Sequence, residues 1–193
     1  MALISAKTII TSLCLFHITL GFFFLTNPAS LADQAVVDVI GEAMGMPAHR
    51  SFDVRSPPLA LLAVLLIFFG LSDLLTLSYP EPVSMITHWG AQAPLRLFVS
   101  LVTLFYTFFT SQASPFYQTR GKGLNHPSAH VNIPGYKPSG WGGEMLKNRV
   151  FFTFMFVEMI SWFWAWVTLR EERNDVLVRA ARGRRRGSRG YDE

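Results

Sequence analysis

Apolar residues fall into four long stretches of the chain, which polar segments separate. The stretches cover residues 8–26, 57–79, 94–113 and 150–169. A bilayer core about 30 Å thick is crossed by roughly 20 apolar residues in a helix, so each stretch is long enough to span a membrane. Arg96 lies near the start of the third stretch, where its long side chain can reach the interface. The pattern predicts an all-α fold: a four-transmembrane-helix bundle.

A short amphipathic helix is predicted between the first two spans, in the segment "SLADQAVVDVIGEAMGM". Ser30 and Asp33 have the spacing of a capping box at its start. One face is apolar and recurs at helical spacing; it comprises Leu31, Ala35, Val36, Val39, Ile40, Ala43 and Met44. The opposite, polar face comprises Gln34, Asp38 and Glu42. It has no basic residue that would attract anionic lipid. We expect this helix to lie on the non-cytoplasmic surface of the membrane or against the bundle.

The basic character of the chain is concentrated at its C-terminal end. The chain has 193 residues, half of them hydrophobic, and 17 Lys and Arg against 13 Asp and Glu. Eight of the basic residues lie in residues 170–193, and the rest of the chain is nearly balanced. This distribution gives no reason to expect nucleic-acid binding. Membrane lipids are the expected partners, with other membrane proteins as further candidates.

Four spans place both chain ends on the same side of the membrane. The eight arginines that follow the last span make that side cytoplasmic by the positive-inside rule, so residues 1–169 form the membrane domain and 170–193 a basic cytoplasmic tail. The loop at 114–148 works against this orientation, because it also carries basic residues. It is rich in Gly and Pro and lacks periodicity, which is typical of a long irregular connection.

The first apolar stretch has a second interpretation. Lys7, the apolar residues after it and the small residues of "NPASLA" imitate a secretory signal peptide with its cleavage site. The apolar stretch is longer than the usual core of such a signal. A mature protein with an intact N-terminus would exclude cleavage.

Charged residues within the spans predict two interhelical pairs. At 1.5 Å per residue, His17 and Glu158 each lie about 12 Å from opposite ends of their spans, which places both near the midplane. Asp73 lies about 9 Å from the end of its span, at the side where Arg96 begins the next one. A lone charge at the bilayer centre costs about 2.5–3.5 kcal/mol. We therefore expect Asp73 to pair with Arg96, and Glu158 with His17.

No catalytic, metal or cofactor site is predicted. His126 and His130 are four residues apart, but Pro127 interrupts any helix that would direct both at one ion. No phosphate-binding glycine loop, nucleophile elbow or metalloprotease motif is present in the sequence. Three tryptophans, Trp162, Trp164 and Trp166, precede Arg170 and suit an aromatic belt at the membrane interface.

Three stretches resemble a known family: the opening "MALISAKTIITSLCLFHITLGFFFLTNPASLADQAVV", then "FFGLSDLLTL" and "HWGAQAPLRLF". They are similar to the fungal family named for increased loss of mitochondrial DNA. The resemblance implies a multi-pass membrane protein of the endoplasmic reticulum that supports maintenance of the mitochondrial genome. It implies no reaction and favours a retained first span.

Two functions from different classes fit these features. The first is a non-enzymatic scaffold or adaptor in organelle homeostasis, in which the polar pairs fasten the helices together. The alternative is a binding protein for a lipid or sterol-like molecule, or a lipid-modifying enzyme, with a pocket anchored by Glu158 and His17. Its layout is similar to that of four-span sterol-binding and isomerase proteins. A proton or ion pathway is a third interpretation, for which the spans offer few charges.

Overall fold

The four apolar segments form helices in the computed structural model, which describes residues 4–79, 84–111 and 142–189. Within these ranges the chain has no strand, and four helices are long and apolar enough to cross a membrane. The predicted all-α fold with four spans is therefore confirmed. Most of the predicted loop at 114–148 lies outside the described residues.

The described helices are numbered in chain order as α1 (Ala6–Thr26), α2 (Ala29–Ala32), α3 (Ala35–Ala43), α4 (Pro57–Thr76), α5 (Gly90–Phe109) and α6 (Arg149–Arg189). Short 3₁₀ turns lie at Arg50–Phe52 and Gly142–Leu146, and a π-helical turn at Ser84–Trp89 leads into α5.

The first two spans begin and end at residues that suit helix termini. The hydroxyl oxygen of Ser5 accepts a hydrogen bond from the backbone N–H of Thr8, which caps α1. Pro28 follows the end of α1 and cannot extend its hydrogen-bond ladder. α4 starts with Pro57, at a position whose N–H would have no partner within the helix.

The predicted amphipathic helix at 30–46 is two helices rather than one. The helix is interrupted at Asp33 and Gln34, between α2 and α3. The side-chain amide of Gln34 donates to the backbone carbonyl of Ser30, an oxygen that a continuous helix would bond through the Gln34 backbone N–H. Ser30 is not the cap that was predicted, because its hydroxyl donates to the carbonyl of Asn27.

The buried face of α3 also differs from the predicted one. Val37 and Gly41 are buried, while Val36 and Val39 are exposed. The reason is the contact with α6: a Cβ added at Gly41 would lie 2.4 Å from Cγ of Arg149, so only glycine admits the arginine side chain there. Arg149 then donates to the carbonyl of Met46, with 3.1 Å between the two atoms.

The sixth helix runs beyond the span that hydropathy defines. The prediction ended the fourth span at residue 169, whereas α6 has 41 residues and ends at Arg189. This is about 61 Å of helix, twice the thickness of a bilayer core. Hydropathy falls at Arg170, but Arg, Glu, Leu and Ala are all good helix formers, so the helix continues.

The third span starts earlier than predicted. The hydropathy pattern begins this span at Pro94, but α5 begins at Gly90 and contains Pro94. The missing N–H of Pro94 removes only the bond to the carbonyl of Gly90, close to the start of the helix.

The bundle is organised as two helix pairs, α1 with α4 and α5 with α6, and α6 also contacts α1. The backbone N–H of Ala6 donates to Oε1 of Glu172 over 2.9 Å, which places the start of α1 beside α6 just after the apolar part of that helix. Both ends of the four-span domain therefore lie on one side, while Asp38 and Arg149 meet on the other, 3.1 Å apart.

Glycines bring α1 and α4 into close contact. A Cβ added at Gly21 would lie 2.7 Å from the carbonyl oxygen of Ala63, and one added at Gly70 would lie 2.8 Å from that of Cys14. Each helix thus contributes one glycine, and each glycine faces the backbone of the other helix. Small residues that let backbones approach are the usual basis of helix packing in membranes.

We expect Gly70→Val to destabilise the protein, because the added carbons have no space against α1. Overpacking of this kind costs about 1–3 kcal/mol. The measurement is the temperature at which half of the purified protein in detergent stops eluting as a folded species. Gly142→Val is the matched control, since an added Cβ there meets nothing within 4 Å. Equal midpoints for the two variants would refute the close packing of α1 on α4.

Candidate functional site

A buried carboxylate lies in the middle of α6. Glu158 is the one charged residue between Arg149 and Arg170, and it is 6% exposed. Its Oε1 lies 2.7 Å from Nε2 of His17 on α1, which is 7% exposed. When Glu158 is ionised it can only accept, so Nε2 of His17 carries the proton that forms this bond.

The second oxygen of the same carboxylate is also bonded within the protein. Oε2 of Glu158 accepts a hydrogen bond of 2.7 Å from Nε1 of Trp162, one helical turn further along α6. Trp162 is 1% exposed, so its predicted place in an aromatic belt at the interface is wrong. The four-residue spacing directs its indole N–H toward the carboxylate instead. Trp164 is exposed, as a belt residue would be.

An ion pair connects α4 to α5. The two terminal nitrogens of Arg96 donate to the two carboxylate oxygens of Asp73, over 2.5 and 2.8 Å. Asp73 is buried, and 27% of the Arg96 side chain is exposed. This two-bond geometry fixes the orientation of both groups and pairs the two charges at close range.

Tryptophan rings join the two pairs. The guanidinium carbon of Arg96 lies 4.9 Å from the ring centroid of Trp162 and 5.5 Å from that of Trp89. The two indoles are stacked, with centroids 6.0 Å apart and planes at 15°. Both distances from the Arg96 guanidinium to a ring are within the range of attraction between a cation and an aromatic face. Trp162 therefore contacts one pair through its N–H and the other through its ring.

We refer to the six residues as the intramembrane network; they are His17, Asp73, Trp89, Arg96, Glu158 and Trp162. They come from α1, α4, α5, α6 and the π-helical turn, so the network contacts all four spans. The structure brings together the residues of both pairs that the sequence predicted. The two tryptophans were missed as members, although Trp162 follows Glu158 by four residues and Trp89 precedes Arg96 by seven.

Three buried side-chain polar atoms in the described part of the chain have no hydrogen-bond partner: Nδ1 of His17, Nε1 of Trp89 and Oγ1 of Thr153. Two of them belong to the intramembrane network. A buried polar atom without a partner costs about 1–3 kcal/mol. Nδ1 of His17 and Nε1 of Trp89 are therefore the two network atoms that could still form a hydrogen bond with a further polar group.

Metal binding finds no support in the described ranges, where no group of three or more His, Cys, Asp and Glu side chains could hold an ion. His126 and His130 lie outside the described residues.

Four apolar helices joined by polar contacts inside the bundle define the class of the protein, a multi-span membrane protein of the helical type. The chain matches the family described as Increased loss of mitochondrial DNA protein 1 over residues 4–179 and belongs to it. The match covers all four spans and the whole intramembrane network. Comparisons with curated proteins and with solved structures gave no match. Family membership indicates a role linked to the maintenance of mitochondrial DNA.

We expect Asp73→Leu to destabilise the protein far more than the double variant Asp73→Leu/Arg96→Leu. Removing one partner of a buried ion pair leaves the other charge unpaired and costs about 3–5 kcal/mol, whereas replacing both with apolar residues is often nearly neutral. The measurement is thermal stability in detergent, with the free energies taken from the shift in midpoint.

Asp38→Asn is the control for loss of an acid, because Asp38 pairs with Arg149 but its side chain is 55% exposed. Such a surface pair contributes at most about 1 kcal/mol. If the double variant were as unstable as Asp73→Leu alone, the bond between Asp73 and Arg96 would not be what stabilises this part of the bundle.

Proposed function

We propose that this protein is a non-enzymatic scaffold or adaptor of the endoplasmic reticulum membrane, and that its effect on mitochondrial DNA is indirect. The main support is the hydrogen bonding of the two buried carboxylates. Both oxygens of Glu158 and both oxygens of Asp73 are bonded to protein groups. Three of these four bonds join different helices, so both carboxylates contribute to holding the bundle together.

The long sixth helix supports an adaptor role. Its last 20 residues, from Arg170 to Arg189, extend about 30 Å past the apolar part. Val176, Leu177 and Val178 are exposed there. A projecting helix with apolar and basic residues is a surface that a partner protein can bind.

The proposed orientation has both termini in the cytoplasm. Its support is the density of arginine directly after the fourth span, where the positive-inside rule has most weight. Arg182-Gly-Arg184 also has the Arg-x-Arg pattern of signals that return proteins to the endoplasmic reticulum.

A lipid or sterol-like binding function is the second candidate, with one observation in its favour. Nδ1 of His17 is buried without a partner among the described residues, next to the carboxylate of Glu158. A ligand with a hydroxyl group could donate a hydrogen bond to that nitrogen when histidine is neutral.

The variant Glu158→Gln separates the two functions. Under the scaffold proposal it weakens the intramembrane network and lowers abundance several-fold, as a loss of about 1–2 kcal/mol does in cells. Stronger expression, in a host strain that lacks its own copy of the gene, then restores retention of mitochondrial DNA. Glu171→Gln is the matched control, because it removes the same charge at an exposed position.

A different result for Glu158→Gln would refute the scaffold proposal. Suppose that Glu158→Gln is as abundant as wild type but that cells with this variant still lose mitochondrial DNA. If the variant also no longer copurifies with a lipid that the wild-type protein retains, the scaffold proposal is wrong. The binding function would then be the better account.

A further inference from the structure

A cavity outside the intramembrane network lies at the end of the apolar part of α6. Its volume is about 230 Å³, and its lining comprises Met85, Gly90, Trp166, Leu169, Arg170 and Arg173. The α6 residues are spaced at intervals of three, one and three, so they form one stripe on a single helix face. The stripe is apolar at Trp166 and Leu169 and basic at Arg170 and Arg173. We call this space the basic cavity.

The depth of the basic cavity matches the headgroup layer of a bilayer. Glu158 lies near the centre of the 20 apolar residues 150–169. Arg170 is 12 residues further, or about 18 Å along the helix, and Arg173 is about 22 Å away. Half of a hydrocarbon core is about 15 Å, and the headgroups extend to about 20–22 Å from the midplane. By this count the backbone positions of both arginines lie outside the hydrocarbon core, in the headgroup layer.

The side chains of the basic cavity suit a phosphate group. Arg170 lies over the ring of Trp166, 5.2 Å from its centroid, which restricts the arginine to one region of the cavity. Guanidinium groups donate two parallel hydrogen bonds to phosphate oxygens. The lining has two cationic side chains and no acidic one. The nearby acid Glu172 is already bonded to the backbone N–H of Ala6.

The size of the cavity limits the ligand. Sites for drug-sized molecules have volumes of about 300–1,000 Å³, so 230 Å³ is too small for a whole lipid but sufficient for a headgroup. The exposed apolar surface of the spans leaves the acyl chains of such a lipid in the bilayer beside the protein.

We infer that the basic cavity binds the phosphate-bearing headgroup of an anionic phospholipid. The two arginines contact the phosphate, Trp166 and Leu169 contact the glycerol region, and the acyl chains remain in the membrane. This site is separate from the pocket considered at His17 and Glu158, and it does not depend on the scaffold function.

The test uses the full-length protein purified in a neutral detergent, with bound lipids counted by native mass spectrometry. Phosphatidylserine and phosphatidylcholine with the same acyl chains are titrated separately. We expect phosphatidylserine, whose headgroup has a net negative charge, to bind at least about tenfold more tightly than phosphatidylcholine, whose choline cation offsets the phosphate charge. Arg170→Gln/Arg173→Gln should lose about tenfold of that affinity, since each arginine contributes to attraction of anionic lipid. The control Arg184→Gln/Arg185→Gln removes the same charge from the tail and should retain wild-type affinity.

Three outcomes would overturn the inference: equal affinity of the wild-type protein for the two lipids, equal loss of affinity in both double variants, or displacement of phosphatidylserine by an equimolar amount of inorganic phosphate. The last would mean that the cavity takes free phosphate. Wild-type elution volume is the criterion for folding of each variant. If Arg170→Gln/Arg173→Gln does not fold, the single variants Arg170→Gln and Arg173→Gln are measured against Arg184→Gln in the same way.

Discussion

The bundle depends on the neutralisation of charge inside the membrane. Glu158 and Asp73 lie in apolar spans, where an unpaired charge costs about 2.5–3.5 kcal/mol on insertion scales and more by other estimates. Each carboxylate has a cationic or titratable partner on another helix, His17 for the first and Arg96 for the second. The position of one helix therefore determines where the next can lie. Trp162 extends this dependence, because it contacts Glu158 of one pair and Arg96 of the other.

Close packing of small residues complements these polar contacts. Gly21 and Gly70 bring α1 against α4, and Gly41 admits the side chain of Arg149 between α3 and α6. Helices in lipid gain little from the hydrophobic effect on association, so van der Waals contact and interhelical hydrogen bonds must supply the stability. The same helices present large apolar side chains on their outer faces, as lipid contact requires.

The sequence predicted the spans and the partners within them because both follow from simple physical limits. Span length follows from bilayer thickness, and the pairing of His17 with Glu158 follows from counting residues to the midplane. Hydropathy could not show that α6 continues to Arg189, because helix formation depends on backbone hydrogen bonds rather than on apolarity. The position of Trp162 shortly before Arg170 predicted an interfacial residue, because the bond to Glu158 depends on a side-chain direction that the sequence does not reveal. At the interruption between α2 and α3, the side-chain amide of Gln34 bonds the carbonyl of Ser30. Hydrophobic periodicity does not reveal such a bond.

We expect the Glu158–His17 pair and the Asp73–Arg96 pair to stabilise the bundle as one unit, because Trp162 contacts both. A double-mutant cycle between Glu158→Gln and Asp73→Asn, measured by thermal stability in detergent, tests it most directly. We expect the two effects to differ from additivity by more than about 0.5 kcal/mol, the limit for independent sites, and to become additive when the cycle is repeated with Trp162→Phe. Additive effects in both backgrounds would contradict it.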